Sequence, residues 1–414
     1  MERLAIVDGV RTPFVKAGTI LKDIPAYELG KIVVQELLAK TEFAPAQVDE
    51  VIFGNVIQPV EAVNISRVIS LFSGIPQDKI ASTVHRNCAS GMEAVTTAYE
   101  KILSGRCEIV IAGGTESMSN TPLLFDKKFA ELLLEFKKSK SIVAKVQTLL
   151  KFRPKHFKPK LSLVLGLTDI VCGLNMGQTA EILAKEFGIT RQEQDEFSLS
   201  SYQKAVQGRT KLKEEIVSVY LSPEYKTYID CDNGPRENQT LEGLGKLRPY
   251  FDYRTGTVTV GNSCQVTDGA VALLVMKESK AKELGFTPLG YLKYYSYIGL
   301  DPMRMGLGPA YAIQDVLKKS GLNLKDIQLI EINEAFASQV IACERLLISN
   351  GVGQINPELL NVNGGAIALG HPVGATGARL ILTILKEMKR RDLKTGLVSL
   401  CIGGGQGTAL ILER

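Results

Sequence analysis

The chain carries one structural phrase twice. Val51-Ile52-Phe53 reads as a strand, Met92 to Leu103 as a helix, and Glu108 to Ala112 as a strand ending in Gly113-Gly114. Near the other end, Gln328 to Ile332 reads as a strand and Ala378 to Met388 as a helix. Gly396 to Cys401 then reads as a strand ending in Gly403-Gly404-Gly405. The flanks agree. Val48-Asp49-Glu50-Val51-Ile52 parallels Lys325-Asp326-Ile327-Gln328-Leu329-Ile330, and Ser90-Gly91-Met92 opens its helix much as Thr376-Gly377-Ala378 opens the later one. Aliphatic strands alternating with helical periods imply α/β layering. The repeat predicts two copies of one α/β unit packed face to face, with glycine-rich loops meeting between them.

At 414 residues the chain suits two or three domains rather than one core. The expected division is an N-terminal core domain of 1–119 with 267–287, an inserted loop domain of 120–266, and a C-terminal core domain of 288–414. The insert follows neither copy and reads as a lid over a substrate tunnel. Inside it, Asn175 to Ala205 reads as one amphipathic helix, with Met176, Ala180, Leu183, Ala184 and Phe187 at near-helical spacing. Asp230 to Tyr250 reads as loop, and Gly256-Thr257-Val258-Thr259-Val260 as strand.

Composition closes off several classes. Hydrophobic content of 45% with 22% charged residues describes a globular chain. Seven cysteines without CxxC pairs read as reduced thiols, and three histidines (His85, His156, His371) give no metal-ligand pattern. The start runs almost at once into strand-like Leu4-Ala5-Ile6-Val7, with no secretory leader, and no apolar stretch approaches the roughly 20 residues of a spanning helix. The reading is a cytoplasmic protein without nucleic-acid partners. The net charge of +5 is uneven: Lys127 to Lys160 holds ten lysines and one arginine against Glu131 and Glu135. Such a run is a solvated surface or an attraction to phosphates or an anionic membrane face.

Chemistry concentrates in a few short segments. Cys88 precedes Ala89-Ser90-Gly91 and a helical run, a setting whose amides and dipole lower a thiol pKa. Gly364-Gly365, Gly370, Gly374 and Gly377 surround His371, whose imidazole can take a proton from a thiol. His85, three residues before Cys88, competes as base, although strand alternation can turn it away. Cys401 ends an aliphatic strand and opens Gly403-Gly404-Gly405-Gln406-Gly407, which lacks the GxGxxG spacing of a dinucleotide site. Amides of such a turn can form an oxyanion pocket, and a sulfur at its edge can exchange a proton with carbon. Asn333 can hold a water beside a carbonyl oxygen. Glu334 is either a structural acid or a partner of His371.

Four segments, in order, carry a family resemblance. Asn87-Cys88-Ala89-Ser90-Gly91, Asn333-Glu334-Ala335-Phe336-Ala337, Asn363-Gly364-Gly365-Ala366-Ile367-Ala368-Leu369-Gly370-His371-Pro372 and Cys401-Ile402-Gly403-Gly404-Gly405 together resemble the thiolases, over essentially the whole chain. The resemblance implies a five-layered αβαβα fold of two duplicated core domains plus an inserted loop domain, assembled as a homodimer or homotetramer. It implies thiolysis of 3-ketoacyl-CoA by CoA to acetyl-CoA and a shortened acyl-CoA, with use in fatty-acid β-oxidation. Condensation to acetoacetyl-CoA by an acetyl-CoA C-acetyltransferase is the alternative. By position Cys88 is the acylated nucleophile, His371 its base and Cys401 the acid/base at carbon. Asn333, through a water, joins His371 in one oxyanion pocket; the amides of Cys88 and Gly403 form the second.

No cofactor is implied beyond coenzyme A and acetyl-CoA as substrates. Arg236 and Leu247 match positions at the adenine end of coenzyme A, Cys264 a position near the pantetheine arm, and Met176 one beside the acyl pocket. Ala335 and Phe336 belong to the same substrate-contacting set. Gly243 stands where some members have serine, and Asn175 where short-chain members have histidine. The long 125–175 region is similar to a loop in β-subunits of β-oxidation complexes, implying α-subunit or membrane-surface contact. Two further readings of the fold are a decarboxylating ketoacyl synthase and a non-catalytic acyl-CoA-binding member. Cys401 speaks against the first; a complete reactive set speaks against the second.

Overall fold

A computed structural model describes residues 2–414. One continuous sheet runs through the larger unit, built from β1 (Leu4–Arg11), β2 (Glu50–Gly54), β3 (Ile80–Val84), β4 (Ile109–Glu116), β5 (Thr267–Lys277), β6 (Gly290–Gly299), β7 (Leu329–Ile332), β8 (Thr395–Ile402) and β9 (Gln406–Glu413). Its order is β7-β8-β9-β6-β1-β5-β4-β2-β3. The first half thus reads β1-β5-β4-β2-β3, with two antiparallel pairings followed by two parallel ones. The second half reads β6-β9-β8-β7 with the same senses, and its fifth place is reduced to a parallel bridge of Ile330 with Leu360. The sequence repeat is therefore a repeat of topology. The halves join where Leu4, Ala5 and Ile6 pair with Leu292, Tyr291 and Gly290.

Residue alternation along the strands builds the layers. Val110 and Ala112, Val271, Leu273 and Val275, and Val398, Leu400 and Ile402 face one shared core. That core is filled by α2 (Ser90–Leu103) and α5 (Thr376–Arg391), while α1 (Ala26–Lys40), α3 (Gly308–Ser320) and α4 (Ala337–Ser349) pack in separate cores. The intervening Ile109 and Ile111, with Ala272 and Leu274, face outward against Leu29, Val33 and Leu37 of α1. Ile330, Ile332, Leu397 and Ile411 likewise meet α3 and α4. The order is helix, sheet, helix, sheet, helix. Strands covered on both faces must be aliphatic at nearly every position, which is why they read as continuous apolar runs.

The central helices are buried over most of their length and are exposed only toward their C-terminal ends, and Leu380, Ile381, Leu382, Ile384 and Leu385 are fully buried. Each such side chain contributes about 1.5–3 kcal/mol, which outweighs any helix-propensity preference. The two helices touch at glycines near their first turns. A Cβ on Gly377 would stand 2.5 Å from Met92 N, and one on Gly91 would stand 2.8 Å from Gly374 O. This crossing brings the Cys88 loop against the His371 loop.

Four local expectations need correction. Asp230 to Tyr250 is not loop throughout but holds a short helix, Leu241–Gly245, capped by Thr240. β4 and β8 run on past their expected ends, and Gly113-Gly114 lie inside β4 because a Cβ there would strike Val271 O or Gly374 O. Asn175 to Ala205 is two helices, Met176–Glu186 and Arg191–Lys213, separated by Gly188 at φ +61° and capped anew by Thr190. Gly256 to Val260 is not a strand. Its Thr257 and Val258 amides donate to the Glu181 carboxylate at 2.9 to 3.0 Å instead of to a neighbouring strand.

Of the stretch 120–266, only Thr121–Thr168 forms a compact unit of its own; Asp169 onward packs with the larger unit. Within Thr121–Thr168, helices Lys127–Lys138 and Ile142–Leu150 lie against each other. The second buries Thr148 and turns Ile142, Val146, Leu149 and Leu150 to solvent, with Ile142 82% and Leu150 72% exposed. Among the described residues no helix is long and apolar enough to cross a membrane.

Candidate active site

Cys88 sits on a turn between β3 and α2 whose shape comes from Asn87 and Ser90. Asn87 takes φ +45°, a left-handed conformation asparagine tolerates better than most residues. Its amide donates to Gly403 O at 2.7 Å, so a nucleophile loop of the first half is tied to the glycine turn of the second. Ser90 Oγ donates to Asn87 O at 2.7 Å and accepts from Arg86 N at 2.9 Å, closing the turn.

The expected lowering of the Cys88 pKa does not occur. Burial raises it, opposed by hydrogen bonds from the backbone N–H of Gly403 and from its own N–H. Helix α2 begins only at Ser90, without a side-chain cap, and the low-dielectric surround outweighs its dipole. The resting group is a neutral thiol with two amide donors waiting for its anion.

His371 is buried and hangs from a strained bend. Gly370 adopts φ +101°, and a Cβ there would come within 2.3 Å of Thr267 Oγ1. The His371 N–H donates to Thr267 Oγ1 at 3.1 Å. On the ring, Nδ1 lies 2.6 Å from Thr376 Oγ1, while that hydroxyl donates to Pro372 O at 3.0 Å. With its hydrogen committed, Thr376 can only accept, so the network assigns the ring hydrogen to Nδ1 and a lone pair to Nε2. Nε2 faces Asn333 Nδ2 at 3.5 Å, too far for a good bond and suited to gripping one oxygen between them. Burial first, and then the Arg379 charge, push the imidazole down to about 3, so it is neutral at physiological pH. His85 is exposed, its Nδ1 accepting from Asn87 N at 3.4 Å.

Asn333 is fully buried at the end of β7, its N–H donating to Ser399 O at 2.9 Å. Its Oδ1 has no protein partner among the described residues. Glu334 does not meet His371. Its carboxylate accepts from Ser201 Oγ at 2.6 Å, Asn361 Nδ2 at 2.8 Å and Ile367 N at 3.2 Å, fastening the loop that leads to His371. A Cβ on Gly365 would stand 2.1 Å from that carboxylate, which explains one glycine of the motif.

Cys401 lies in β8 just before the Gly403–Gly405 turn, buried with Ala335, Phe336, Ala180 and Met305, and with Met176 and Phe251 beside it. Burial raises its pKa well above the ordinary thiol value, so it rests protonated. Cys264 donates its N–H to Ala335 O at 3.0 Å, and burial and then the neighbouring Cys88 push its thiol up to about 12. The next residue, Gln265, accepts the His371 N–H at 3.3 Å. Met176 opens its helix, and Asn175 caps it by accepting from Gln178 N at 3.0 Å. A contiguous set thus links Cys88, Gly403, Cys401, Ala335, Phe336, Cys264, His371 and Asn333. Arg236 is exposed on a loop and Leu247 packs near Gly261.

The N-terminal thiolase domain model matches residues 4–279 and the C-terminal one residues 286–414. The chain belongs to the thiolase family. It is 41% identical over 426 aligned positions to the 3-ketoacyl-CoA thiolase of Shewanella halifaxensis, covering 100% of this chain and 97% of that protein. The crystal structure of the Bacillus anthracis acetyl-CoA acetyltransferase superposes with a TM-score of 0.90 at 36% identity, covering 100% of this chain and 99% of that one. Human mitochondrial 3-ketoacyl-CoA thiolase in complex with CoA superposes at 0.87 and 37% identity, covering 100% and 98%. Within this thiolase fold, two contributors escaped sequence reasoning. Thr376 and Glu116 carry no reactive signature, and only their spacing in Gly370-His371-Pro372-x-x-x-Thr376 and Gly113-Gly114-Thr115-Glu116 hints at them.

Proposed function

We propose that this thiolase cleaves 3-ketoacyl-CoA through an acyl-enzyme on Cys88. His371 Nε2 takes the proton from Cys88 Sγ, and the thiolate attacks the 3-keto carbon. The bond between C2 and C3 breaks, its electrons passing to the enolate of acetyl-CoA, which Cys401 protonates at carbon. CoA then gives its thiol proton to Cys401 and attacks the acyl thioester, and Cys88 leaves as a thiolate that regains its proton from His371. The observation that carries this reading is the neutral imidazole held with Nε2 free, facing the Asn333 amide at 3.5 Å. A neutral thiol beside a neutral base is a low-charge resting state that costs little to bury. Charge appears only in the reaction, where the Asn333 amide, through a water, and His371 meet one oxyanion. The Cys88 and Gly403 amides meet the other. One such donor is worth about 10²–10³ in rate.

Fatty-acid β-oxidation is the proposed use, in keeping with the relatives named 3-ketoacyl-CoA thiolase. Specialisation for acetoacetyl-CoA is the second reading, favoured by the match to an acetyl-CoA acetyltransferase. Thiolysis rates across acyl lengths decide between them, since one methylene is worth about 1–3 kcal/mol in a pocket. Measuring acetoacetyl-CoA thiolysis with Cys88→Ala, and the acyl-enzyme by mass spectrometry, tests the chemistry. A variant that kept its rate would refute it.

Partner and location belong to the same proposal. The outer edge strand β3, with Ile80 exposed, supports self-association as a dimer or tetramer. The solvent-facing stripe of Ile142–Leu150 beside ten lysines supports contact with an anionic membrane face by an otherwise cytoplasmic enzyme.

A further inference from the structure

Glu116 closes β4 and is fully buried, yet the reaction as described does not use it. Its oxygens divide four donors evenly. Oε1 accepts from Asn55 Nδ2 and Ile57 N, each at 3.0 Å; Oε2 accepts from Val56 N and Gly374 N, each at 3.0 Å. The Asn55–Ile57 loop follows β2 in the first half, whereas Gly374 lies between His371 and Thr376 in the second. The Gly374 peptide is gripped from its other side too, since a Cβ on Gly114 would stand 1.9 Å from its oxygen. Gly54, just ahead of the loop, approaches so closely that its Cβ would lie 2.3 Å from Ser90 C, beside the Cys88 turn.

We propose, on the thiolase reading above, that Glu116 is a positioning residue: one carboxylate fastens the His371 loop of one half to the loop beside Cys88 in the other, setting their mutual register. Every lone pair of that carboxylate meets an N–H, so a neutral amide of the same shape cannot replace it. In Glu116→Gln an NH2 group must face two donors whichever way it turns. The charge matters as well as the geometry. Burial raises the Cys88 thiol, amide donors oppose it, and the Glu116 charge adds to the rise. Burial pushes Glu116 itself up to about 7; the Ile57, Val56 and Gly374 N–H bonds hold it down, and Asp268, the other acid that acts on it, adds to the rise. The comparison is therefore read above pH 7, where Glu116 is a carboxylate.

The test compares wild type with Glu116→Gln in acetoacetyl-CoA thiolysis and in alkylation of Cys88 by iodoacetamide across pH. The expected kcat loss is about 10²-fold, the cost of misplacing reacting groups by about an ångström. KM for CoA stays within about twofold, and the alkylation midpoint moves to lower pH because a nearby negative charge is gone. Unchanged kcat with an unchanged midpoint overturns the proposal. So does a rate loss that merely tracks the folded fraction in a melting experiment. If Glu116→Gln does not fold, Asn55→Ala, which removes one of the four donors, is judged by the same criteria with a smaller loss. Wild-type protein that formed no acyl-enzyme would refute the thiolase reading; the alkylation midpoint needs no turnover and still decides on Glu116.

Discussion

His371 Nδ1 lies 2.6 Å from Thr376 Oγ1, and the hydroxyl has its own hydrogen on Pro372 O at 3.0 Å. One turn at the start of α5 thereby holds the base in the tautomer that its task requires. Thr376→Val keeps the shape and removes the acceptor, leaving both tautomers open. The expected fall in kcat is about 10²-fold, the lower range for losing a general base, and Thr376→Ser restores most of it. Steady-state thiolysis of acetoacetyl-CoA reads both.

Cys88 and Cys401 serve different bonds, so their variants separate. Cys401→Ala keeps acetylation of Cys88 by acetyl-CoA, seen by mass spectrometry, while exchange of acetyl-CoA methyl hydrogens in D2O falls at least about 10²-fold. Cys88→Ala loses acetylation altogether. Equal exchange in Cys401→Ala and wild type would remove Cys401 from carbon chemistry.

The pH response has a definite sign. His371 has a folded pKa near 3 against an ordinary 6.5, so kcat/KM shows no acid limb near pH 6.5 from this ring. Its contribution to stability is present above pH 6.5 and is lost as pH falls toward 3. Glu116 and Glu331, raised by burial to about 7 from 4.5, act in the opposite sense. Their contribution is complete below 4.5 and lost as pH rises through 7. Urea unfolding of His371→Asn across pH 4 to 8 therefore loses acid-side sensitivity relative to wild type; an identical pH slope would contradict the neutral buried ring.

Arg379 and Glu331 form a fully buried pair at 2.9 Å, and Arg379 Nε and Nη2 have no partner among the described residues. Arg379→Met strands the carboxyl and is expected to cost about 3–5 kcal/mol in urea unfolding. Adding Glu331→Gln recovers much of that loss. A double variant no better than the single would show that packing, not charge, governs the site.

The exposed stripe of Ile142–Leu150 makes a separate prediction. Wild type co-sediments with phosphatidylserine vesicles more than with phosphatidylcholine vesicles, and Val146→Glu with Leu149→Glu abolishes the difference. Equal sedimentation of variant and wild type would dismiss the membrane contact.

The duplicated phrase was readable because strands buried on both faces have to be aliphatic throughout, as in Val271 to Met276, and leave an unmistakable run. The reactive residues were readable because Cys88, His371 and Cys401 are chemically distinctive and set among glycines that only close backbone approach requires. Boundaries were less legible. Gly113 and Gly114 look like a strand end and are mid-strand, because the residues that crowd them, Val271 and Gly374, lie about 160 and 260 positions away.

Electrostatics was decided only by the tertiary structure. From local sequence, Cys88 stands before a helix and its pKa is expected to fall; in the folded chain burial wins and raises it. Glu334 appeared eligible to pair with His371, until Ser201, Asn361 and Ile367 claimed its oxygens. Residue type and local periodicity determine which groups are present and which way the chain runs. Dielectric surroundings and hydrogen-bond partners come from residues far apart in the chain, so only folding decides which proton sits where.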